Sequence, residues 1–485
     1  MRTRGEFIMD TFLLHSGEQE VQKLLEVLTI PQGERVPSHF RGHTIIGWGR
    51  FRNDEQRTQM LQPVQAVLRC ANIDRRNALL HTYGIKTLSS HGNLTKYHKE
   101  LYPYSYIIPV FQLDALTVFR KKESGLLMLR GRIKGPASYE DIGLNHQAFR
   151  VKRAVREAVK AVYALGLDYG VVTVGVPSSG HTLILDVDPE PMLDDKLAEL
   201  FADAIMKYDQ ALYEQTRNPQ PIMLGADPEF LLLSKQGKVV AASRYVERQG
   251  EVGCDGTVNR GDETLHPLAE LRPQPSESPA ELADHVQQAL QTAAQRFSSP
   301  DLHWVAGGMP VPGFALGGHI HISRTLLHTP LLRALDNYLA LPLLLVESEE
   351  SLRRRPRYGT LGDYRRQPHG GFEYRTLPSW LAAPAIAQGT FALAKLIAEN
   401  YAQLTRRPLS DPEVTAMYYR GQKQQLLPIV SVLWQDLERL PTYGLYAAEL
   451  GRLKNLVFQM RTWDEKEDFR HLWQISMPPA VPQHS

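Results

Sequence analysis

The stretch that most constrains this 485-residue chain is Gly225-Ala226-Asp227-Pro228-Glu229-Phe230, which runs on into Leu231-Leu232-Leu233. In a β-strand, residues i and i+2 share a face. Asp227 and Glu229 then project side by side, while Phe230 and Leu232 face the opposite layer. Two carboxylates on one strand face repel each other unless a cation lies between them. Hard oxygen ligands so placed suit Mg²⁺ or Mn²⁺. A strand edge with two solvated acids is the plainer reading of the fragment alone, and the remainder of the C-terminal half decides between them.

The length predicts two or three domains with ample buried core. Charge is nearly balanced, 55 Lys+Arg against 53 Asp+Glu, so net charge points to no nucleic-acid or membrane partner. Cys70 and Cys254 stand far apart without metal spacing, which argues for a reducing compartment and no disulfide framework. The opening Met1-Arg2-Thr3-Arg4-Gly5-Glu6 begins no apolar signal region. No run approaches the ~20 apolar residues of a membrane span, and Leu339 to Val346 reads as a buried helix. The expectation is a cytoplasmic protein.

Along the first half, Thr44 to Trp48 reads as a buried strand closed by Gly49, and residues 61–83 as helical up to a stop at Tyr83-Gly84. Strand-like runs follow at Tyr106–Phe111, Leu116–Phe119 and Leu126–Leu129. A helix is predicted over 147–165, on the stripe Val151, Ala154, Val155, Ala158, Val159 and Val162. Strands at Val171–Val176 and His181–Asp188 flank the turn Pro177-Ser178-Ser179-Gly180, and a helix near Leu193–Tyr213 closes this half. The polar, proline-rich Arg217 to Pro221 is the predicted linker.

In the second half, Lys235 to Lys238 turns the organising strand back on Val239 to Ala242. A glycine-rich loop, Gly253-Cys254-Asp255-Gly256, precedes Ala269-Glu270-Leu271-Arg272-Pro273, and a long helix follows Ser278-Pro279. Glu270 and Arg272 stand in the i, i+2 relation, as do His319 and His321, and Glu373 and Arg375. If these strands neighbour one another, one face carries Asp227, Glu229, Glu270, His319, Glu373, Arg272 and Arg375. Divalent ions would neutralise the acids and the arginines would hold phosphate or carboxylate, a cup suited to ATP-dependent phosphoryl transfer. Taken singly, each piece has an ordinary meaning: Glu-x-Arg a cross-strand ion pair, His-x-His a pair of hydrogen-bonded sheet histidines, Gly317-Gly318 a bulge. Arg353-Arg354-Arg355 reads as a solvated face, with Arg357 and Arg365 nearer the glycine-containing loop before Glu373.

As a set, Gly225-Ala226-Asp227-Pro228-Glu229-Phe230, Gly253-Cys254-Asp255-Gly256, Glu270-Leu271-Arg272-Pro273, Gly317-Gly318-His319-Ile320-His321 and the run Tyr358-Gly359 to Arg375 resemble the phage-type carboxylate–amine ligases of the glutamine synthetase and glutamate–cysteine ligase superfamily. The resemblance covers roughly residues 221–400. It implies that Asp227, Glu229, Glu270 and Glu373 bind metal, and that His319 lies near the nucleotide phosphates. It also implies that Arg375, with Arg272 and Arg365, serves substrate or phosphate, and that His321, Arg357 and Arg365 contribute to nucleotide binding. Asp227 stands where glutamine synthetase proper has Glu, a shorter arm.

In the first half, Leu183 to Pro191, preceded by Leu165-Gly166-Leu167-Asp168-Tyr169-Gly170, resembles the end of an ATP-grasp ligase. That resemblance assigns Asp186 and Asp188 as a second pair of metal ligands and places Arg120 near phosphates. Trp48-Gly49 and the helix to Tyr83-Gly84-Ile85 resemble the opening of spore-coat-associated ATP-grasp proteins. Little room remains between Gly84 and Phe111 for a nucleotide-gripping subdomain, so a compact, degenerate domain is expected.

The expectation is an α+β protein: an α/β ATP-grasp-like domain over 1–216, then a glutamine-synthetase-like antiparallel-sheet domain over 221–485 with a helical C-terminal part. With ATP and Mg²⁺ (or Mn²⁺), it would join a small-molecule or peptide carboxylate to an amine through an acyl phosphate, as a possible homo-oligomer. Two alternatives are a bifunctional chain with both domains active, and a non-catalytic structural protein of a spore or phage particle that keeps the folds.

Overall fold

The computed structural model describes residues 10–38, 40, 42–51, 59–88, 104–121, 139–177, 180–260 and 263–476. The chain forms two compact units, Met1–Pro219 and Gln220–Ser485.

In the first unit, β1 (Thr11–His15), β2 (Gln32–Gly33), β3 (Thr44–Trp48) and β4 (Gln59–Leu61) form a parallel sheet in the order β2-β1-β3-β4. A second, antiparallel sheet is built from β5 (Tyr104–Phe111), β6 (Asp114–Ala115), β7 (Phe119–Lys121), β8 (Tyr139–Asp141), β9 (Tyr169–Val176) and β10 (Leu183–Asp188). The buried Gln62 joins the two sheets: its backbone N–H donates to Asp168 Oδ2 at 2.5 Å, and its side-chain oxygen accepts from the Asp168 N–H at 2.9 Å. Trp48 stacks on Tyr169 with centroids 4.3 Å apart, and the Tyr169 hydroxyl donates to the Gly47 carbonyl. The helix Phe149–Ala164 buries Val151, Ala154, Ala158, Ala161 and Val162 as its periodicity requires, and ends before Gly166 at φ +79°.

Several sequence expectations shift here. The helical stretch 61–83 is two helices, Val64–Cys70 and Ile73–Thr82, because the Asn72 side chain caps the second by accepting from the Arg75 N–H. Of Leu116–Phe119 only Phe119 is in a strand; the rest connects β6 to β7. The helix foreseen near Leu193–Tyr213 is Asp195–Arg217 and takes in the first residue of the expected linker. Met1 to Glu6, Leu126–Leu129 and the Ser178-Ser179 turn lie outside the described residues.

The second unit is organised on β11 (Met223–Leu233). The remaining strands are β12 (Val239–Val240), β13 (Val252–Asp255), β14 (Val258–Arg260), β15 (Glu263–Leu265), β16 (Leu268–Leu271), β17 (His303–Val305), β18 (Gly318–Ser323), β19 (Tyr364–Arg366) and β20 (Phe372–Tyr374). The main sheet has the order β13-β16-β11-β18-β20-β19, with β12 and β17 also paired to β11 and every pairing antiparallel. Gly253 to Asp255, expected as a loop, is therefore a strand that pairs with β16. Ser278 caps the helix Pro279–Arg296, which carries Pro279 in its first turn. Leu339 to Val346 is almost wholly buried, and the helix Pro384–Asn400 is buried nearly all round.

Alternation along β11 sorts its two faces. Phe230 packs with Phe297, Trp304 and Phe469, ring centroids 4.9–5.9 Å away, and all four are essentially fully buried. Phe469 comes from the C-terminal segment, which the buried Glu465 also fastens by accepting from the N–H groups of Gly308 and Met309 and the Ser348 hydroxyl. On the other face, Leu231 packs with Leu268, Val305 and Leu316, so this face is dry beyond Glu229. Phe230→Ala is expected to cost about 3–5 kcal/mol, read as a lower urea midpoint at unchanged m-value; a loss under about 1 kcal/mol would show that this cluster does not anchor β11.

Candidate functional site

The register of the central sheet brings the polar pairs together. Asp227 lies opposite His319, Glu229 opposite Glu270, and Glu373 opposite both His321 and Arg365. Each side chain shares the face of Asp227 by the two-residue alternation of its own strand. Arg272 and Arg375 follow immediately after β16 and β20.

His319 Nδ1 sits between two carboxylates, 3.2 Å from Asp227 Oδ1 and 3.0 Å from Glu373 Oε1. His321 Nε2 lies 3.2 Å from the same Asp227 oxygen but forms no hydrogen bond there. Glu229 accepts from the Gly317 N–H at 2.6 Å, and its own N–H donates to the Gly317 carbonyl. Arg272 pairs with Glu270, and Arg375 with Glu373. The other Glu373 oxygen takes Arg365 at 3.3 Å and the Gln367 amide at 3.1 Å. Asp227, Glu229, Glu270, His319 and Glu373 are all buried, Glu373 completely. A cavity of about 680 Å³ is lined by Asp227, Glu270 and Glu373 with Arg248, Asp255 and Arg324, while Glu229 and His319 lie behind its wall, and its size accepts a small-molecule ligand.

So many buried acids shift one another. Burial would raise the Asp227 carboxyl, but the His319 charge and hydrogen bond, with His321 close by, outweigh it and hold it below the usual range. Burial opposes a charged His319, yet Asp227 and a hydrogen bond to Glu373 raise its pKa to about 10. Burial raises Glu373 too, but the His319 hydrogen bond prevails and lowers it. Glu229 is raised by burial. Glu270 is pushed up to about 8, first by burial and then by the Asp227 charge, against the pull of Arg272.

Glycines of the motifs serve this geometry. A Cβ on Gly317 would overlap the His319 ring, and one on Gly253 would overlap the Arg272 guanidinium. Gly317 is thus clearance for an imidazole at the start of β18, whereas Gly318 makes room for the Pro378 carbonyl and the Trp380 ring, and Gly253 lets Arg272 lie across β13.

Other predicted site residues stand elsewhere. Arg357 is exposed beside the Tyr358 ring and does not line the cavity. In the first unit, Asp186 is paired with the buried Arg76 at 2.5 Å, and Asp188 accepts from the Glu190 N–H. Among the described residues, Asp227, His319 and Glu373 form a group able to hold a metal ion, their ligand atoms within 4.8 Å of one another; Asp186 and Asp188 join no such group. Arg120 pairs with Glu140 across β7 and β8. The Arg353–Arg355 run is not a solvated face: Arg354 and Arg355 are buried. Arg355 pairs with Glu347 at 2.6 Å, and Arg354 donates to the carbonyls of Thr376 and Arg375, bracing the end of β20. Arg354 and Gln367 were missed by sequence reasoning; the signal for Arg354 is Gly359, at φ +62°, where a Cβ would strike its guanidinium.

A carboxyl raised to about 8 takes up a proton on folding between its ordinary value of 4.5 and 8, so stability falls as pH rises through that window. Glu270→Gln removes the loss. Without divalent cations at about pH 8.5, its Tm is expected to exceed the parent's by on the order of several degrees, with the gap narrowing toward pH 5. An equal or lower Tm at high pH would show that Glu270 is not burdened by its neighbours.

Among the described residues, no helix is long and apolar enough to cross a membrane. No curated protein matches the sequence. Solved structures with some likeness include the ATP-grasp ligase PsnB complexed with a minimal precursor (TM-score 0.29, 10% identity, 41% of this chain and 99% of that one). Others are D-alanine–D-alanine ligase from Bacillus anthracis with ATP (0.27, 10%, 41% and 97%) and a bifunctional glutathione synthetase from Pasteurella multocida (0.32, 10%, 55% and 54%). Scores at this level carry no argument about this chain. The family model described as phage phiEco32-like COOH.NH2 ligase-type 2 matches residues 224–475, a span that takes in the whole charged face of the β11 sheet, and the chain belongs to that family of ligases.

Proposed function

We propose that the second unit joins a carboxylate to an amine at the expense of ATP, with the chemistry on the charged face of the β11 sheet. The observation that carries this reading is the convergence of Asp227, Glu270 and Glu373 on one cavity with Arg272, His321 and Arg365, backed by His319 and Glu229 on the same face of four neighbouring strands. A scaffold gains nothing from buried carboxylates that repel one another, whereas a site for a divalent cation and phosphate needs both signs of charge.

The residues fit a divalent cation. Their donors are carboxylate oxygens and imidazole nitrogen, and His321 Nε2 points at Asp227 without a hydrogen bond. Asp227, His319 and Glu373 would hold it, with Glu229 and Glu270 beside them; when bound, Mg²⁺ or Mn²⁺ supplies charge neutralisation for phosphoryl transfer. The arginines position the anions. A substrate carboxylate oxygen attacks the γ-phosphorus and ADP leaves, giving an acyl phosphate. An amine nitrogen then attacks the acyl carbon, losing a proton as phosphate departs. The cavity admits a small molecule or the end of a peptide.

Hydroxylamine in place of the amine turns an acyl phosphate into a hydroxamate. With Mg²⁺, ATP and pooled carboxylic acids, the parent is expected to form hydroxamate. Glu229→Ala and Glu373→Ala should lose at least about 100-fold, as for other electrostatic groups of catalytic sites, while Asp186→Ala retains parental activity. Full activity in both glutamate variants would refute the site, and loss in Asp186→Ala alone would move the chemistry to the first unit.

A further inference from the structure

We propose that Arg272 and Arg365 are exchangeable counter-ions: they sit on Glu270 and Glu373 until a divalent cation displaces them, and the released guanidiniums then bind the phosphate-type anion, so that cation and anion binding promote each other. The proposal rests on the metal-site reading above and goes beyond it by linking two binding events through named side chains.

Glu270 and Glu373 have little freedom, since both are buried on central strands of one sheet. Each is already occupied by a guanidinium, Arg272 on Glu270 and Arg365 with Arg375 on Glu373. A guanidinium cannot lose its proton, so such a pair opens only by moving the cationic head. Two of the three heads reach solvent, Arg365 most openly, and Arg272 has besides Glu270 only the Gly250 carbonyl, 3.1 Å away, to give up. The Arg365 side chain is 61% exposed and that of Arg272 37%, and both line the cavity. Arg375 is more confined: its side chain is 23% exposed, its N–H donates to Asp363, and Arg354 holds its carbonyl. A divalent cation on these acids meets two positive charges it must repel. The heads then remain in the same cavity with their carboxylates taken, presenting paired N–H donors that match phosphate oxygens. An anion that captures them removes the cation's competitors, and by linkage the cation strengthens anion binding by the same factor.

The two arginines therefore weaken cation binding while no anion is present, a consequence that a fixed phosphate-binding role does not share. In the full-length protein, free Mn²⁺ is followed by its electron paramagnetic resonance signal at constant pH. Titrations are run with and without inorganic phosphate, whose own association with Mn²⁺ is subtracted from a protein-free blank. Phosphate is expected to tighten Mn²⁺ binding to the parent, on the order of fivefold or more. Without phosphate, Arg365→Met and Arg272→Met are expected to bind Mn²⁺ several-fold more tightly than the parent, and the gain from phosphate shrinks. Arg272→Lys, which keeps the charge, should stay near the parent. Arg365 is largely solvated, so its variant keeps the fold. Equal or weaker Mn²⁺ binding in both Met variants would overturn the exchange while leaving the metal site standing. Absence of Mn²⁺ binding in the parent would overturn both.

Discussion

Everything at the site depends on the antiparallel register of β11 with its two neighbours. With Asp227 opposite His319 and Glu229 opposite Glu270, three carboxylates and an imidazole are forced within a few residues on one face. A slip of one residue would turn Asp227 and Glu229 into the aromatic layer behind and Phe230 into the cavity. The packing of Phe230 against Trp304, Phe297 and Phe469 makes that slip costly, so the apolar face fixes the polar one. The charged side is unstable by itself, and His319 between Asp227 and Glu373 is the internal cation that makes it tolerable.

Much of this was legible in the residues. The i, i+2 pairs named their own common face, because strand geometry turns sequence alternation into direction without further information. What was hidden depends on distant partners. Asp186 and Asp188 have the same spacing as Asp227 and Glu229, yet Asp186 is paired with Arg76, 110 positions away, and alternation says nothing of that. Arg353, Arg354 and Arg355 look alike in sequence; only the fold buries the last two, against the carbonyls after β20 and against Glu347. Gly253 to Asp255 reads as a loop because glycine is rare in strands, but that glycine is where Arg272 must cross.

The two units use charge differently. In the first, Asp168 is spent on the Gln62 junction, Asp186 on Arg76 and Glu190 on Arg50. In the second, pairs of equal quality gather around a cavity, and several of their arginine heads reach solvent. Exposure of the arginine does not set the two kinds of pair apart, since Arg50 is as open as Arg365; what differs is that Glu270 and Glu373 are buried and face one cavity.

The aromatic cluster behind β11 also has a bearing on how the protein is made. Phe230 belongs to the first strand of its unit, but Phe469 and Glu465, which complete and fasten that layer, follow it by more than two hundred residues. While a ribosome is still translating, β11 can pair with β16 and β18 but not find its full backing. The layer behind β11 can therefore be complete only after Phe469 has been made, although Phe297 and Trp304 are available to Phe230 well before it.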